Sequence, residues 1–311
     1  MKILSEAGPA GVPAKPVSLA IGVFDGVHLG HQAVIQRTLE EARAHGSLAV
    51  AVTFDRHPNS TVAPGRVPQL LCPLWRRLNL LESLGLDAVL VYAFDADFCR
   101  QPAEAFIERL RRGFGSVASI SVGASFVFGH RRGGNLDLLR QLGGIAGFSV
   151  HGLAPVRVGD EVVSSSRLRE LVVAGDFDRA ALFLGRRHSL AGEVVTGDRL
   201  GRRLGFPTAN LDVTGLVLPP NGVYAARACC AEGNQRHPAA VNIGRRPTVD
   251  GSPSGIRVEA HLLGFEGDLY GRRLHLELHQ RLRTEERFPS REALVAQISR
   301  DVDAVREWAG K

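Results

Sequence analysis

The chain has 311 residues, of which 44% are apolar and 23% are charged, and its net charge is +6. At roughly 150 residues per domain this length predicts two domains, and the composition excludes a peptide scaffold and an intrinsically disordered chain. The longest apolar runs, residues 48–54 and 88–94, fall short of the roughly 18 residues that a membrane span requires. The first residues contain too few apolar side chains for a secretory signal, so we expect a cytoplasmic protein without membrane association.

Residues 18–158 alternate short apolar runs with amphipathic stretches, which is typical of a doubly wound, Rossmann-like α/β domain with a largely parallel sheet. The apolar runs predict strands at residues 19–24, 48–53, 88–93, 120–122 and 148–153. The amphipathic stretches predict helices at residues 32–45, 74–84, 103–112 and 136–142. Such sheets bind ligands beyond the carboxyl ends of their strands, so the residues after Phe24 are the first place to look for a site.

The pattern changes near Gly185, after two short predicted helices at residues 165–174 and 176–184. Beyond this point Gly, Pro and Asp separate strand-like runs, and this spacing predicts a mainly antiparallel β-barrel. The runs are residues 222–230, 239–243, 257–263 and 273–282, and a predicted terminal helix follows at residues 290–308. We therefore predict two domains, residues 1–185 and residues 186–311.

The segment Gly22-Val23-Phe24-Asp25-Gly26-Val27-His28-Leu29-Gly30-His31 directly follows the first predicted strand. Glycines let backbone amides approach an anion, a helix N-terminus supplies partial positive charge, and two imidazoles three residues apart can donate to phosphate oxygens. The spacing matches neither a Walker A loop nor a dinucleotide fingerprint. We interpret the segment as a triphosphate cradle, with candidate residues Gly22, Phe24, Asp25, Gly26, His28, Gly30 and His31.

This segment resembles the HxGH signature of the nucleotidyltransferase superfamily. The resemblance narrows to the FAD synthetase half of bacterial bifunctional riboflavin kinase/FAD synthetases, because further segments are similar to that family: residues 53–58, 122–129 and 164–169. The resemblance implies transfer of an adenylyl group from ATP to the phosphate of FMN, with release of pyrophosphate and no protein nucleophile. It assigns His28 and His31 to catalysis beside Mg²⁺, and Ser165, Ser166 and Arg167 to phosphate contacts. Taken alone, residues 164–169 are equally typical of a capped helix start.

Two positions depart from the family's pattern in a segment where flavin or nucleotide contacts are expected. Ser125 stands where the family often has Asp or Asn, and Val127 where it often has Arg, Lys or Thr. We keep Ser125 as a flavin-binding candidate. The departures leave an alternative open, in which the chain is a riboflavin kinase with a weak or inactive adenylyltransferase domain.

A second glycine-spaced loop, residues 197–210, lies just past the predicted boundary. Gly197, Gly201 and Gly205 are spaced by four residues and permit close approach of the backbone to phosphates. Thr208 and Asn210 offer neutral oxygen ligands that suit a hard divalent cation. A simple turn between strands is the alternative interpretation of this loop.

The loop resembles the GRxLGFPTAN signature of riboflavin kinases, and residues 221–224, 242–248, 258–261, 268–271 and 282–288 match in the family's order. The resemblance implies that Thr208 and Asn210 bind Mg²⁺ and phosphates, and that Arg283 belongs to a flap over the flavin. A kinase also needs a group that accepts the proton of the attacking hydroxyl, and we assign this role to Glu259. By residue type alone, a strand glutamate is more often simply solvated.

The expected ligands are ATP and Mg²⁺, together with riboflavin, FMN and FAD as flavin substrates and products. We expect no nucleic-acid partner, because the positive charge is spread over both halves of the chain, with +2 up to Gly185 and +4 after it, and no RNA-recognition motif is present. An RNA-binding protein with a regulatory flavin is the remaining alternative. The sequence leaves self-association open.

Overall fold

The structure is a computed structural model that describes residues 1–5, 15–198, 200–230, 235–245 and 255–310. The chain forms two compact units. Unit 1 comprises Met1–Leu70 and Leu74–Arg167, and unit 2 comprises Leu71–Pro73 and Leu168–Lys311. The domain boundary that we predict at residue 185 stays a prediction. Within the described ranges, none of the helices combines the length and apolar character needed to cross a membrane.

Unit 1 contains a six-stranded sheet whose paired strands are all parallel. Its strands are β1 (Lys2–Leu4), β2 (Val17–Ile21), β3 (Leu48–Phe54), β4 (Ala88–Tyr92), β5 (Val117–Gly123) and β6 (Ser149–Leu153). Its helices are α1 (Leu29–His45), α2 (Asn59–Val62), α3 (Leu74–Glu82), α4 (Ala96–Cys99), α5 (Ala103–Phe114) and α6 (Leu136–Ala146), and a hairpin of β7 (Arg157–Val158) and β8 (Glu161–Val162) follows. The predicted doubly wound α/β class is confirmed.

The order of the strands fixes where a ligand can bind. The sheet runs β1-β4-β3-β2-β5-β6, so the chain moves from β2 to β3 on one side and later returns to place β5 on the other side. Parallel sheets of this kind have a crevice at the point where the direction reverses, beyond the carboxyl ends of the two strands. Here the crevice lies between the residues that follow β2 and those that follow β5.

The sheet is covered on both faces because alternate strand residues point to opposite sides. Leu19 and Ile21 pack with Val50 in one apolar cluster, while Ala20 and Ala51 belong to a second cluster. This two-sided burial explains the continuous apolar runs of the sequence.

Unit 2 is built on a closed antiparallel barrel of six strands in the order β10-β13-β12-β11-β14-β9. The strands are β9 (Ser189–Val195), β10 (Ala209–Leu211), β11 (Gly222–Cys230), β12 (Arg236–Arg245), β13 (Ile256–Leu262) and β14 (Arg273–Arg283). The helices are α7 (Ser165–Ala174), which begins in unit 1, α8 (Phe177–Leu184), α9 (Leu200–Arg203) and α10 (Arg291–Ala309). The predicted barrel and terminal helix are confirmed.

The sequence pattern did not predict β9 and β10, which close the barrel by pairing with each other. Gly192 reads as a break within an apolar run, yet a Cβ at this position would clash with the carbonyl oxygen of Asp212. The glycine therefore permits the close backbone approach at the barrel seam.

Candidate active sites

Strand β2, the first strand predicted from the sequence, ends at Ile21 and not at Phe24, because the backbone then enters a strained turn. Phe24 (φ 54°) and Val27 (φ 43°) have left-handed conformations, as does Gly26 (φ 78°). This conformation costs roughly 1–2 kcal/mol for an L-residue and is most unusual for a β-branched side chain such as valine. Strain of this kind persists only where the surroundings hold it, and it concentrates at functional sites.

Side chains hold three alternate carbonyls of this turn. Thr53 Oγ1 donates to the carbonyl of Val23 at 3.0 Å, and Ser165 Oγ donates to that of Asp25 at 3.0 Å. The side-chain Nε2 of Gln32 donates to the carbonyl of Val27 at 2.9 Å. The candidate Ser165 thus anchors the turn itself.

His28 and His31 come together at the start of α1. His28 is the N-cap of the helix, and its Nδ1 accepts the backbone N–H of His31 at 3.3 Å. The two rings are stacked, with centroids 3.6 Å apart and planes 15° apart. Because Nδ1 is an acceptor, this hydrogen bond assigns the proton of a neutral His28 to Nε2, where it can be donated to a phosphate oxygen. The helix begins three residues before the predicted start because His28 caps it.

The glycines and buried residues of the cradle shape this pair. A Cβ on Gly30 would lie 3.1 Å from Cε1 of His28, and one on Gly22 would lie 3.0 Å from the ring of Phe24. Phe24 and Asp25 are 1% and 2% exposed. The two glycines therefore make room for the neighbouring rings. The buried ring of Phe24 packs edge-on against the ring of His31, with centroids 5.3 Å apart.

The N-terminus of α7 approaches that of α1. The carbonyl oxygen of Val163 lies 3.8 Å from the position of a Cβ on Gly30. Ser164 caps α7 by accepting the N–H of Arg167 at 3.2 Å, and the Arg167 Nε donates to Glu161 at 2.6 Å. Two helix N-termini near one turn place partial positive charge where a phosphate would bind.

The remaining candidates of unit 1 are exposed. Ser166 lies on the first turn of α7, and Ser125 lies in the loop after β5, beyond the same edge of the sheet as the turn after β2. Next to Ser125, the rings of Phe126 and Phe128 stack with centroids 5.2 Å apart. The fold thus brings the loop expected to contact flavin to the same crevice as the triphosphate cradle.

On unit 2 the candidate site lies on the outer face of the barrel. Val258 and Ala260 are buried in the barrel, so Glu259 between them points outward. Glu259 is directly opposite Asn210 on β10 and Asn242 on β12. Directly opposite residues have Cβ atoms about 5 Å apart, so these three polar side chains form one row. The sequence did not single out Asn242, although its position between buried Val241 and Ile243 marks it as outward-facing.

Burial raises the pKa of Glu259, the nearby Asp198 also raises it, and Arg257 opposes them. Arg257 donates to Asp198 at 2.8 Å and lies 3.8 Å from the Glu259 carboxylate. A carboxylate with a raised pKa is a stronger proton acceptor, which suits a general base.

The glycines of the second loop leave space for the side chains of Thr208 and Asn210, the two candidate metal ligands. A Cβ on Gly197 would clash with the side-chain amide of Asn210, and one on Gly201 would lie 3.0 Å from Thr208 Oγ1. Gly205 adopts a left-handed turn with φ 87°. The structure thus gives Gly197 and Gly201 a role in positioning Asn210 and Thr208, and their contact with phosphates stays a prediction. Arg199 of this loop lies outside the described residues, as do Arg246, Pro247 and Thr248 of a matched segment.

Thr208 opens into a cleft that is partly apolar. Its lining includes Arg202, Phe265, Leu269 and Tyr270. The described residues include no cluster of three or more His, Cys, Asp or Glu side chains placed to hold a metal. The neutral oxygens of Thr208 and Asn210 instead suit Mg²⁺, which takes few protein ligands when nucleotide phosphates supply the rest.

Arg283 lies where β14 ends, and its guanidinium contacts the C-terminal helix. Nε donates to Asp301 Oδ1 at 3.0 Å and Nη2 donates to Oδ2 at 2.8 Å, while Nη1 donates to the carbonyl of Thr284. Two residues on, Glu285 accepts from Asn221 and lies over Gly244 of β12. The flavin contact of Arg283 stays a prediction.

An anion cradle in one unit and a carboxylate flanked by neutral amide and hydroxyl oxygens in the other are typical of a two-module, nucleotide-dependent transferase. The FAD synthetase family model matches residues 13–167, and the riboflavin kinase family model matches residues 184–309. The chain belongs to the bifunctional riboflavin kinase/FMN adenylyltransferase family.

Similar proteins agree with this assignment. The bifunctional riboflavin kinase/FMN adenylyltransferase of Pseudomonas fluorescens is 39% identical over 289 residues, which span 93% of this chain and 92% of the relative. Its counterpart from Escherichia coli is 37% identical over 300 residues, which span 96% and 94%. A solved structure titled as a macrolide-efflux protein from Streptococcus pneumoniae is 25% identical, covers 98% of both chains and has a TM-score of 0.80. This likeness supports the fold.

Proposed function

We infer that the chain makes both flavin cofactors, converting riboflavin to FMN in the barrel module and FMN to FAD in the α/β module. The observation that carries this is that each module has its own polar site of the kind its reaction needs. One has stacked imidazoles at a helix N-terminus, and the other has a carboxylate of raised pKa opposite an amide. We assign the modules to residues 1–185 and 186–311.

In the α/β module an oxygen of the FMN phosphate attacks the α-phosphorus of ATP, and the bond to pyrophosphate breaks. His28 and His31 donate to the phosphate oxygens on which charge increases, and the helix N-termini add partial positive charge. Ser165, whose hydroxyl donates to the carbonyl of Asp25, contacts the phosphates through its backbone N–H. Ser166 and Arg167 contact the phosphates as well, and Ser125 contacts the flavin. No residue of the chain is bonded to the nucleotide at any step, so catalysis rests on positioning and charge neutralisation.

In the barrel module the terminal hydroxyl of the ribityl chain attacks the γ-phosphorus of ATP, and ADP leaves. Glu259 accepts the proton of this hydroxyl. Thr208 and Asn210 would hold Mg²⁺, which would neutralise phosphate charge when bound with the nucleotide. The glycine loop approaches the phosphates, and Arg283 belongs to the segment that covers the flavin.

The ligands of the protein are small molecules: riboflavin, FMN, ATP and their products. We propose that it has no nucleic-acid partner, because its positive charge is divided between both halves of the chain. We propose a cytoplasmic location, where ATP is available and where free thiols such as those of the four cysteines stay reduced. Self-association is a question for sedimentation measurements.

Product analysis with each flavin supplied separately tests the proposed function. Riboflavin with ATP and Mg²⁺ should give FMN and ADP, and FMN with ATP and Mg²⁺ should give FAD and pyrophosphate. FMN formation without any FAD would favour the alternative of a kinase with an inactive adenylyltransferase module, for which the exposed Ser125 and Val127 are the motivation.

Reciprocal variants test whether the two sites are separate. Glu259→Gln should reduce FMN formation by at least about 100-fold and leave FAD formation unchanged, because it removes only the proton acceptor of the barrel. His28→Ala should do the reverse, because it removes the capping imidazole of the cradle. Loss of both activities in either variant would contradict independent sites.

A further inference from the structure

Arg77 on α3 is a buried arginine that the proposed mechanism does not use. The residue is 3% exposed, and α3 buries Leu80 and Leu81 as well. Burying a guanidinium away from water is unfavourable unless its N–H groups have acceptors. The identity of the acceptors therefore indicates what the side chain does.

The guanidinium of Arg77 bridges the ends of two neighbouring strands. Nη1 donates to the carbonyl of Val23 at 2.5 Å, and Nη2 donates to the carbonyl of Phe54 at 2.7 Å. Phe54 is the last residue of β3, and Val23 lies two residues past the end of β2. The planar fork of an arginine can serve two such acceptors at once, whereas a lysine ammonium lacks this preorganised geometry.

The Val23 carbonyl lies at the near end of the strained turn, just before its first left-handed residue. Side chains hold this turn at three carbonyls, with Thr53, Ser165 and Gln32 as the neutral donors. Arg77 adds a charged donor at Val23, and hydrogen bonds from charged donors are roughly twice as strong as neutral ones. Arg77 therefore contributes a strong constraint where the backbone begins to depart from ordinary φ values.

We propose that Arg77 is a positioning residue for the adenylylation of FMN, which holds the turn that orients His28 and His31. The inference rests on the proposed adenylyltransferase function of unit 1. Without the guanidinium the turn relaxes toward unstrained φ values, and the imidazoles move away from the phosphate oxygens. A displacement of about 1 Å in catalytic groups can cost about 100-fold in rate. Because Arg77 touches the turn and not the flavin, the effect falls on kcat more than on the KM for FMN.

The test measures FAD formation from FMN and FMN formation from riboflavin on the same full-length samples. In Arg77→Met, kcat for FAD formation should fall about 100-fold, and in Arg77→Lys at least about tenfold, with the KM for FMN within about threefold. Kinase activity should stay within about twofold, which shows that the barrel module is folded. Arg112→Met is the matched control: it removes an arginine whose side chain is 80% exposed on α5 and should retain wild-type FAD formation.

Chemical rescue separates positioning from general stability. Millimolar guanidinium chloride should restore part of the kcat of Arg77→Ala, because the ion can occupy the vacated space between the two carbonyls. A wild-type kcat in Arg77→Lys overturns the inference. Loss of FAD formation that guanidinium does not rescue, and that coincides with unfolding of unit 1 measured by Trp75 fluorescence in a Trp308→Phe background, also overturns it. A wild-type protein that forms no FAD overturns the proposed function, and this inference with it.

Discussion

His188, just before β9, is a buried histidine whose protonation opposes folding. The residue is 3% exposed, and burial together with the charge of Arg186 lowers its pKa from 6.5 to about 4. Its Nε2 has no hydrogen-bond partner among the described residues. The imidazole is therefore neutral in the folded unit at pH 5, whereas the unfolded chain is protonated at this pH.

We predict that acid destabilises unit 2 through His188. Between pH 6.5 and pH 4 the unfolded chain binds a proton that the folded unit does not, so stability falls as the pH falls. From pH 7 to pH 5 the loss due to His188 is about 2 kcal/mol, and His188→Phe should lack it. Urea unfolding followed by Trp308 fluorescence, in a Trp75→Phe background, measures the difference. Equal pH dependence with and without His188 would contradict the prediction.

Glu259 should set the acid limb of the kinase reaction. The pKa of Glu259 is raised above 4.5, the usual value of a glutamate. As the pH is lowered, kcat/KM for riboflavin should therefore begin to fall at a pH above 4.5. Asp198 contributes to this rise, so Asp198→Asn should move the acid limb to lower pH. Initial rates across the pH range check this, with FAD formation on the same samples as the control. An unmoved limb would argue against Glu259 as the base.

At the scale of elements, the register of β13 decides what Glu259 can do. A slip of one residue would turn its side chain into the barrel and bring Val258 outward. The sequence predicts this strand to within one residue from its alternating pattern. It does not predict that Asn210 and Asn242 lie on either side of Glu259, because pairing with β10 and β12 depends on residues distant in the chain.

The C-terminal helix is tied to the end of β14 by an ion pair. The Arg283 and Asp301 side chains are 17% and 8% exposed, so removing the aspartate leaves a largely buried guanidinium without its partner. We predict that Asp301→Ala lowers the free energy of unfolding of unit 2 by about 3 kcal/mol. Asp303→Ala on the same helix removes a pair whose side chains are 66% and 69% exposed, and it should cost less than about 1 kcal/mol. Similar urea midpoints for both variants would show that the Arg283–Asp301 ion pair contributes no more to the stability of unit 2 than an exposed pair does.

At the scale of the whole molecule, the position of α8 bears on the domain boundary. Phe177 and Phe183 are 5% and 2% exposed, and the ring of Phe177 packs edge-on against Tyr224 of β11 at 5.7 Å. This helix belongs to the barrel unit by its contacts, although our sequence-based boundary assigns it to the first domain.

We predict that the fragment Leu168–Lys311 is more stable than the fragment 186–311. The shorter fragment lacks two buried phenylalanines, and deleting even one such side chain costs about 3–5 kcal/mol. Urea unfolding and binding of a hydrophobic dye compare the two fragments. Equal stability would support residue 185 as the folding boundary.

Local spacing along the chain was enough to predict the two fold classes, which are confirmed, and to indicate candidate residues for both sites, whose roles stay predictions. The periods of strands and helices, the HxGH turn and the glycine loop each involve residues close in sequence, so their chemistry can be read there. Only the tertiary structure showed that Glu259 lies between two amides and that Gly197 and Gly201 leave space for the side chains of Asn210 and Thr208. It also showed that Arg77 donates to the carbonyl of Val23 in the turn after β2. These depend on strand register and on which carbonyls a buried side chain meets, and both are set by packing between segments distant in sequence.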